Sequence, residues 1–186
     1  MGKITTILTL LFATAQFALA TTLLRMDLDD LTAESHAIVY GKIVASRAEW
    51  NNNRSMIYTI YTVEATQYLK GSLGASFELQ EPGGERDGLM VRVPSVPVFR
   101  AGEEAVLFVW TDPKGRHQVI GFEQGAMEVR TNSETGEKTV DRVVRLGSAR
   151  SASKASLGPS TSRLLPQLFG QIRLSVVQTN KPQATQ

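Results

Sequence analysis

Ala37-Ile38-Val39-Tyr40-Gly41-Lys42-Ile43-Val44, followed by Met56-Ile57-Tyr58-Thr59-Ile60-Tyr61-Thr62-Val63, decides the fold class. β-Branched and aromatic residues dominate both runs; they pack well on a pleated surface and lose rotamer freedom in a helix. Two long strands are therefore predicted. Asn51-Asn52-Asn53 between them tolerates left-handed backbone and supplies a turn.

Downstream, Phe77 to Gln80 and Leu89 to Val93 alternate apolar with polar residues, as half-buried strands do. Glu81 to Gly88, which contains Pro82-Gly83-Gly84, is read as a loop. Ala105-Val106-Leu107-Phe108-Val109-Trp110 is apolar on both faces and suits a central strand. Asp112-Pro113-Lys114-Gly115 carries type I turn residues, so a hairpin is expected to join Trp110 to Val119. Gln118 to Phe122, Ala126 to Arg130 and Thr139 to Val144 complete seven or eight strands, the last two linked through Asn132 to Gly136. Short strands with hairpin spacing predict a mainly β fold, an antiparallel sandwich or small barrel, and the barrel is favoured because closure removes aggregation-prone edges.

Two helices flank it. Leu24, Leu28 and Leu31 recur at helical spacing, with Asp27, Asp29 and Asp30 near the favourable end of the dipole, predicting a short N-terminal helix over about Met26 to Ser35. Leu165, Leu168, Phe169, Ile172 and Val176 share one face of a C-terminal helix, with Ser162 as its cap and Pro166 near its start. Gly170 costs that helix about 1 kcal/mol, and so short a helix is expected to dock on the barrel or on a partner. The resulting organisation is a leader over 1–20, a barrel domain over 21–146, a Ser/Ala-rich tether over 147–162, an amphipathic helix over 163–178 and a tail over 179–186.

The leader reads as a signal peptide. Lys3 gives the positive start, Ile4 to Phe17 the apolar run and Ala18-Leu19-Ala20 the small-x-small cleavage signal, so that Thr21 begins the mature chain. The apolar run is shorter than the roughly 20 residues a spanning helix needs, and no transmembrane segment is expected after cleavage. The expectation is a periplasmic or extracellular protein. With 186 residues and no cysteine, it must be stabilised by apolar burial in one domain, without disulfides or lipid attachment. Net charge is +2 and the charged residues are interspersed, which argues against nucleic acid as a partner.

No sequence constellation assigns a catalytic, cofactor or metal residue. His36 and His117 are far apart in sequence and form no HExxH-type pair; both are read as strand-edge residues. Asp27-Leu28-Asp29-Asp30 opens like a calcium loop, but Thr32 stands where glycine is required and Ile38 where the bidentate Glu belongs. Ser151-Ala152-Ser153-Lys154 has an acylating enzyme's Ser-x-x-Lys spacing within a Ser/Ala-rich tether, where the lysine would stay solvated. Asn53-Arg54-Ser55 fits a glycosylation sequon but serves equally as a turn, and Pro94-Ser95-Val96-Pro97 reads as an extended connection. Binding is the richer signal. Arg47, Trp50, Tyr58, Tyr61, Tyr68 and Lys70 form a candidate face of aromatics and cations on paired strands, of which half the aromatics must face the core. Glu81, Gly83, Gly84, Glu85 and Arg86 form a candidate binding loop.

The order of elements, with Tyr68-Leu69-Lys70-Gly71 closing the second strand and Gly102-Glu103-Glu104 opening a later one, resembles uncharacterised bacterial exported proteins over roughly His36 to Val129. It is also similar to the netrin-type, OB-like barrel of tissue inhibitors of metalloproteinases. That resemblance implies an interaction domain. Those inhibitors reach the protease zinc through an N-terminal cysteine, which this chain lacks, so inhibition does not carry over to any of its residues. The functional expectation is a non-enzymatic module, without cofactor, that holds another exported or envelope protein. The alternatives are an exported-protease inhibitor that inserts Thr21-Thr22-Leu23, and a barrel that binds an oligosaccharide or single-stranded nucleic acid.

Overall fold

The computed structural model describes residues 24–142 and 163–179. The leader, Thr21 to Leu23, the whole of the tether with Ser151 to Lys154 and the Ser162 cap, and nearly all of the tail lie outside them. In chain order the described elements are α1 (Leu28–Glu34), β1 (Ala37–Trp50), β2 (Ile57–Lys70), β3 (Ser76–Pro82), β4 (Gly84–Arg86), β5 (Leu89–Val91), β6 (Glu104–Thr111) and β7 (His117–Val119). A 3-10 turn (Phe122–Gly125), β8 (Ala126–Thr131), β9 (Lys138–Arg142), β10 (Arg163–Leu164) and α2 (Leu165–Thr179) follow.

Five strands close into the expected OB-like barrel, in the order β1-β2-β3-β7-β6 and back to β1. β1 pairs antiparallel with β2 along its length and with β6 through Ala37↔Val109 to Lys42↔Glu104. The parallel seam between β3 and β7 consists of the single pair Leu79↔His117. β8, β9 and β10 extend the sheet from β6 outside the ring. β1 follows the barrel's curvature through register shifts at Ile38/Val39, Tyr40/Gly41 and Ile43/Ala45. Gly41 makes that possible, because a Cβ there would stand 2.5 Å from the Glu64 carbonyl oxygen.

The two-faced apolarity of β1 and β6 has two destinations. Ala37, Val39 and Ile43 of β1, with Ala105, Leu107 and Val109 of β6, point into the barrel and join Tyr61, Val63, Phe77, Leu79 and Phe99. The intervening Ile38, Tyr40, Val106 and Phe108 face outward and are covered by Leu31 of α1 and by Leu165, Leu168 and Ile172 of α2. The C-terminal helix therefore docks on the barrel through the residues that its sequence period picks out. Over its edge, Tyr40 donates to Glu104 Oε2 at 2.5 Å, and Lys138 Nζ reaches both Tyr40 and Glu104 at 2.6 Å, tying β9 to β1 and β6.

Several boundaries differ from the sequence reading. α1 is shorter, held at its start by an Asp27–Asp30 capping box. β1 and β2 run on well past Val44 and Val63, because continuous cross-strand pairing outweighs the polar composition of their outer halves. Glu81 and Pro82 belong to β3, and Gly84 to Gly88 fold into the β4–β5 hairpin. Leu89 to Val93 is not a half-buried barrel strand: it pairs only with β4, and Leu89 and Met90 are 58% and 54% exposed. The strand expected through Phe122 stops at Val119, where Gly121 at φ 64 turns the chain into the 3-10 segment. β9 is described to Arg142, so its expected end at Val144 lies outside the described residues.

Ile172 is fully buried between helix and sheet. Ile172→Ala is expected to cost about 2–5 kcal/mol in chemical denaturation, whereas truncating the exposed Leu174 to Ala should cost well under 1 kcal/mol.

Candidate functional site at the hairpin tips

The six residues of the expected face do not share a surface. Directly paired residues on antiparallel strands lie on the same side of the sheet, so Ser46↔Tyr61, Ala48↔Thr59 and Trp50↔Ile57 belong to one side, and Arg47↔Ile60 and Glu49↔Tyr58 to the other. Tyr61 and Ile57 are buried, which makes the first side the inner one. Tyr61 is 3% exposed, with its ring edge-on to Phe99 at 5.2 Å, and is therefore a core residue. Tyr68 packs against the barrel core and donates to the Gly74 carbonyl at 2.7 Å.

The cations of that set are committed elsewhere. Arg47 pairs with Glu49 and Glu78, both at 2.7 Å, on the outward face; these carboxylates hold its guanidinium above its ordinary pKa. Lys70 Nζ donates to the carbonyls of Thr32 and Ala33 at 2.6 and 3.1 Å, closing the open end of α1, and burial lowers its pKa. Neither lysine nor arginine here is a free ligand for a partner.

Trp50 and Arg86 do come together, through geometry that sequence spacing could not show. Beyond the barrel wall, β1 and β2 continue as an arm whose turn lies beside the β4–β5 hairpin. Trp50 Nε1 donates to Asp87 Oδ2 at 2.9 Å, and Arg54 Nη2 reaches the same oxygen at 3.1 Å. The Arg54 guanidinium also sits 5.7 Å from the centre of the Trp50 ring, a cation–π arrangement. Arg86 donates to the Ala48 carbonyl at 3.2 Å and lies 3.5 Å from Asp87 Oδ1. Glu49, Trp50, Arg54, Arg86 and Asp87 line a cleft of about 330 Å³.

Backbone strain marks the same place. Arg54 and Asp87 each stand at φ 54, in left-handed conformation without being glycine, one in each turn. Gly84 sets the approach of the two hairpins: at φ 136, any Cβ on it would lie 2.5 Å from Thr59 Oγ1. Thr59 in turn donates to the Gly83 carbonyl at 2.8 Å. Of the expected binding loop, Gly83 and Gly84 are thus packing elements and Glu85 and Arg86 are exposed. Glu81 is no surface residue at all, being 3% exposed and accepting from the Val119 amide at 2.7 Å.

No family model and no curated protein matches this chain. Geometry alone must therefore speak for the site.

The two histidines stand at strand edges, His36 just before β1 and His117 opening β7, and both reach Thr111. The Thr111 amide donates to His36 Nδ1 at 3.0 Å, and Thr111 Oγ1 lies 2.9 Å from His117 Nδ1. His36 must hold its proton on Nε2 to accept that bond. Burial lowers the pKa of His117, whose ring also stands edge-on to Phe77 at 5.9 Å. Among the described residues no group of three or more His, Cys, Asp or Glu side chains could hold a metal ion.

The clasp between the tips is exposed, so its ion pairs contribute little to global stability. Asp87→Ala is expected to change the unfolding free energy by at most about 1 kcal/mol. Limited trypsinolysis after Arg54 and Arg86 should nonetheless accelerate, because each apex loses the anchor shared with the other.

Proposed function

We propose that this protein is an exported, non-enzymatic interaction module that engages another protein through the joined tips of the β1–β2 and β4–β5 hairpins. The observation that carries the reading is the clasp of Trp50, Arg54, Arg86 and Asp87, with apolar side chains left outside it. Tryptophan, arginine and methionine are the residues enriched where proteins meet. Leu89 lies opposite Arg86 in the hairpin register, and Met90 opposite Glu85, so an exposed apolar tip stands directly beside an Arg/Asp pair. A partner can bury the tip and exchange its own charges with Arg54, Arg86 and Asp87.

Export rests on the Met1 to Ala20 leader, and the partner is accordingly placed among exported or envelope proteins. No helix among the described residues is long and apolar enough to cross a membrane. Single-stranded nucleic acid is disfavoured because Arg47 and Lys70 are spent on internal partners and Arg54 and Arg86 face Asp87, leaving no basic stripe along the aromatics. An oligosaccharide would use the Trp50 ring, and the test distinguishes it.

A photo-crosslinking residue at position 89 of the full chain, in the producing cells, should give one adduct of discrete mass. Trp50→Ala should abolish that adduct, and the same probe at exposed Gln167 of α2 should give none. Adducts of equal strength from both positions, or none from position 89, would overturn the reading. Saturable glycan binding lost with Trp50→Ala, in the absence of any adduct, would replace it with the carbohydrate alternative.

A further inference from the structure

The barrel closes unevenly. β2 and β3 are joined by a ladder from Tyr58↔Pro82 to Glu64↔Ser76, and β1 and β6 by one from Ala37↔Val109 to Lys42↔Glu104. β3 and β7 share only Leu79↔His117. Two residues further along each strand, where a ladder would continue with backbone bonds, a side chain takes over: the Val119 amide donates to Glu81 Oε1 at 2.7 Å. A carboxyl group therefore completes the seam of the barrel.

That carboxyl is in an unusual position. Glu81 lies opposite Thr59, on the inner side with Tyr61 and Leu79, and is 3% exposed. Of the titratable groups on the strands packed against it, Tyr61 of β2 interacts with it and has its pKa raised by burial, and His117 of β7, whose pKa burial lowers, lies opposite Leu79 two residues back along the seam. Glu103, ahead of β6, acts on Tyr61 and adds negative potential from that side. Arg47 and Glu49 of β1 lie on the outward face and engage each other. No cation among the described residues compensates Glu81, and an uncompensated buried carboxylate is far costlier than a neutral one.

We infer that the β3–β7 seam is a proton-operated latch in which Glu81 is the moving part. Protonated, the group fits its apolar surroundings and still accepts from Val119. Ionised, it must reach water, and leaving the interior removes both the Val119 bond and the neighbouring support of the one bridge. The opened barrel presents the edges of β3 and β7 while the β1–β2 and β1–β6 ladders stay closed. Burial raises the Glu81 pKa from its ordinary 4.5 to about 8, which places the change just above neutrality.

The sign follows from which state holds the proton. Between about pH 4.5 and pH 8 the folded protein keeps a proton on Glu81 that the unfolded chain has lost, so stability falls as pH rises across that window and levels off above it. Glu81→Gln retains the acceptor for Val119 and cannot ionise. Its stability in thermal unfolding should match wild type near pH 4.5 and exceed it increasingly up to pH 8. His117 contributes equally to both proteins and cancels in the difference. In wild type, the protection of the Val119 amide against hydrogen exchange, corrected for intrinsic rate, should fall by up to about tenfold per pH unit as pH rises toward 8 and be lost above it, while Leu107 in β6 stays protected there. Carbon-detected titration of the Glu81 carboxyl in wild type supplies a reading that needs no variant. A midpoint in the ordinary carboxylate range, a pH-independent difference between the two proteins, or equal loss of protection at Val119 and Leu107 would each overturn the latch.

Discussion

β1 is paired on both edges over its first residues, with β2 on one side and β6 on the other, and the rest of the architecture follows from that constraint. A strand bonded on both edges in a small barrel has one face toward the interior and one toward whatever covers the outside. Ala37-Ile38-Val39-Tyr40 meets that demand with apolar groups at every position. β6 meets it across the ladder with Ala105 to Val109. Past Ile43 the second edge of β1 has no strand partner among the described residues, and the burial pattern turns from buried to mixed. There the β1–β2 pair leaves the barrel as an arm. The exposed tip that carries Trp50 and Arg54 is thus a consequence of where β6 begins, at Glu104 opposite Lys42.

Magnitudes separate what holds the molecule together from what decorates it. Two apolar clusters, inside and outside the same strands, supply the stabilising burial, at about 25 cal/mol per Å² of apolar surface. The surface ion pairs around Arg47, Arg54 and Arg130 are each worth at most about 1 kcal/mol. Their role is to orient side chains. The end of the barrel under α1 is bound down by Lys70 on the helix carbonyls and by Gln124, which bonds Met26 and Leu24. At the opposite end, among the described residues, the hairpin tips are joined to one another through Trp50, Arg54, Arg86 and Asp87. One end is closed by its own chain, and the other keeps apolar side chains in solvent.

Much of the fold was legible in the sequence because it rests on periodicity. β-Branched and aromatic runs placed β1 and β2, two-sided apolarity placed β6, turn chemistry placed the Asp112 to Gly115 and Asn132 to Gly136 connections, and a 3.6-residue stripe placed the buried face of α2. The candidate site was legible only in pieces. Trp50 and Arg86 were both singled out, yet on separate surfaces, because their meeting depends on Gly84 bringing a hairpin under the end of a barrel strand. Arg54 stood out within the Asn53-Arg54-Ser55 turn, and Asp87, the group that joins all of them, carries no signal in sequence: an acidic residue before glycine reads as an ordinary turn. The strand-face alternation held sufficient information to separate Arg47 and Tyr58 from Trp50 and Tyr61, but only once the register was known. Glu81 was misplaced for a related reason. A glutamate followed by Pro-Gly-Gly looks like the start of a solvated loop, and nothing in its neighbours shows that a strand from beyond residue 116 will cover it.

The outer apolar face of the barrel is made early in the chain and covered late. Ile38 and Tyr40 belong to the first described strand, whereas the residues that shield them, Leu165, Leu168 and Ile172, belong to the last described helix. Contacts of such long sequence separation form slowly, since the whole intervening chain must be ordered before they return any free energy. During folding, then, the barrel ladders can assemble while the outer wall of β1 and β6 stays bare until α2 docks. For as long as that wall is bare it is an apolar surface open to other chains, and it is α2 that withdraws it.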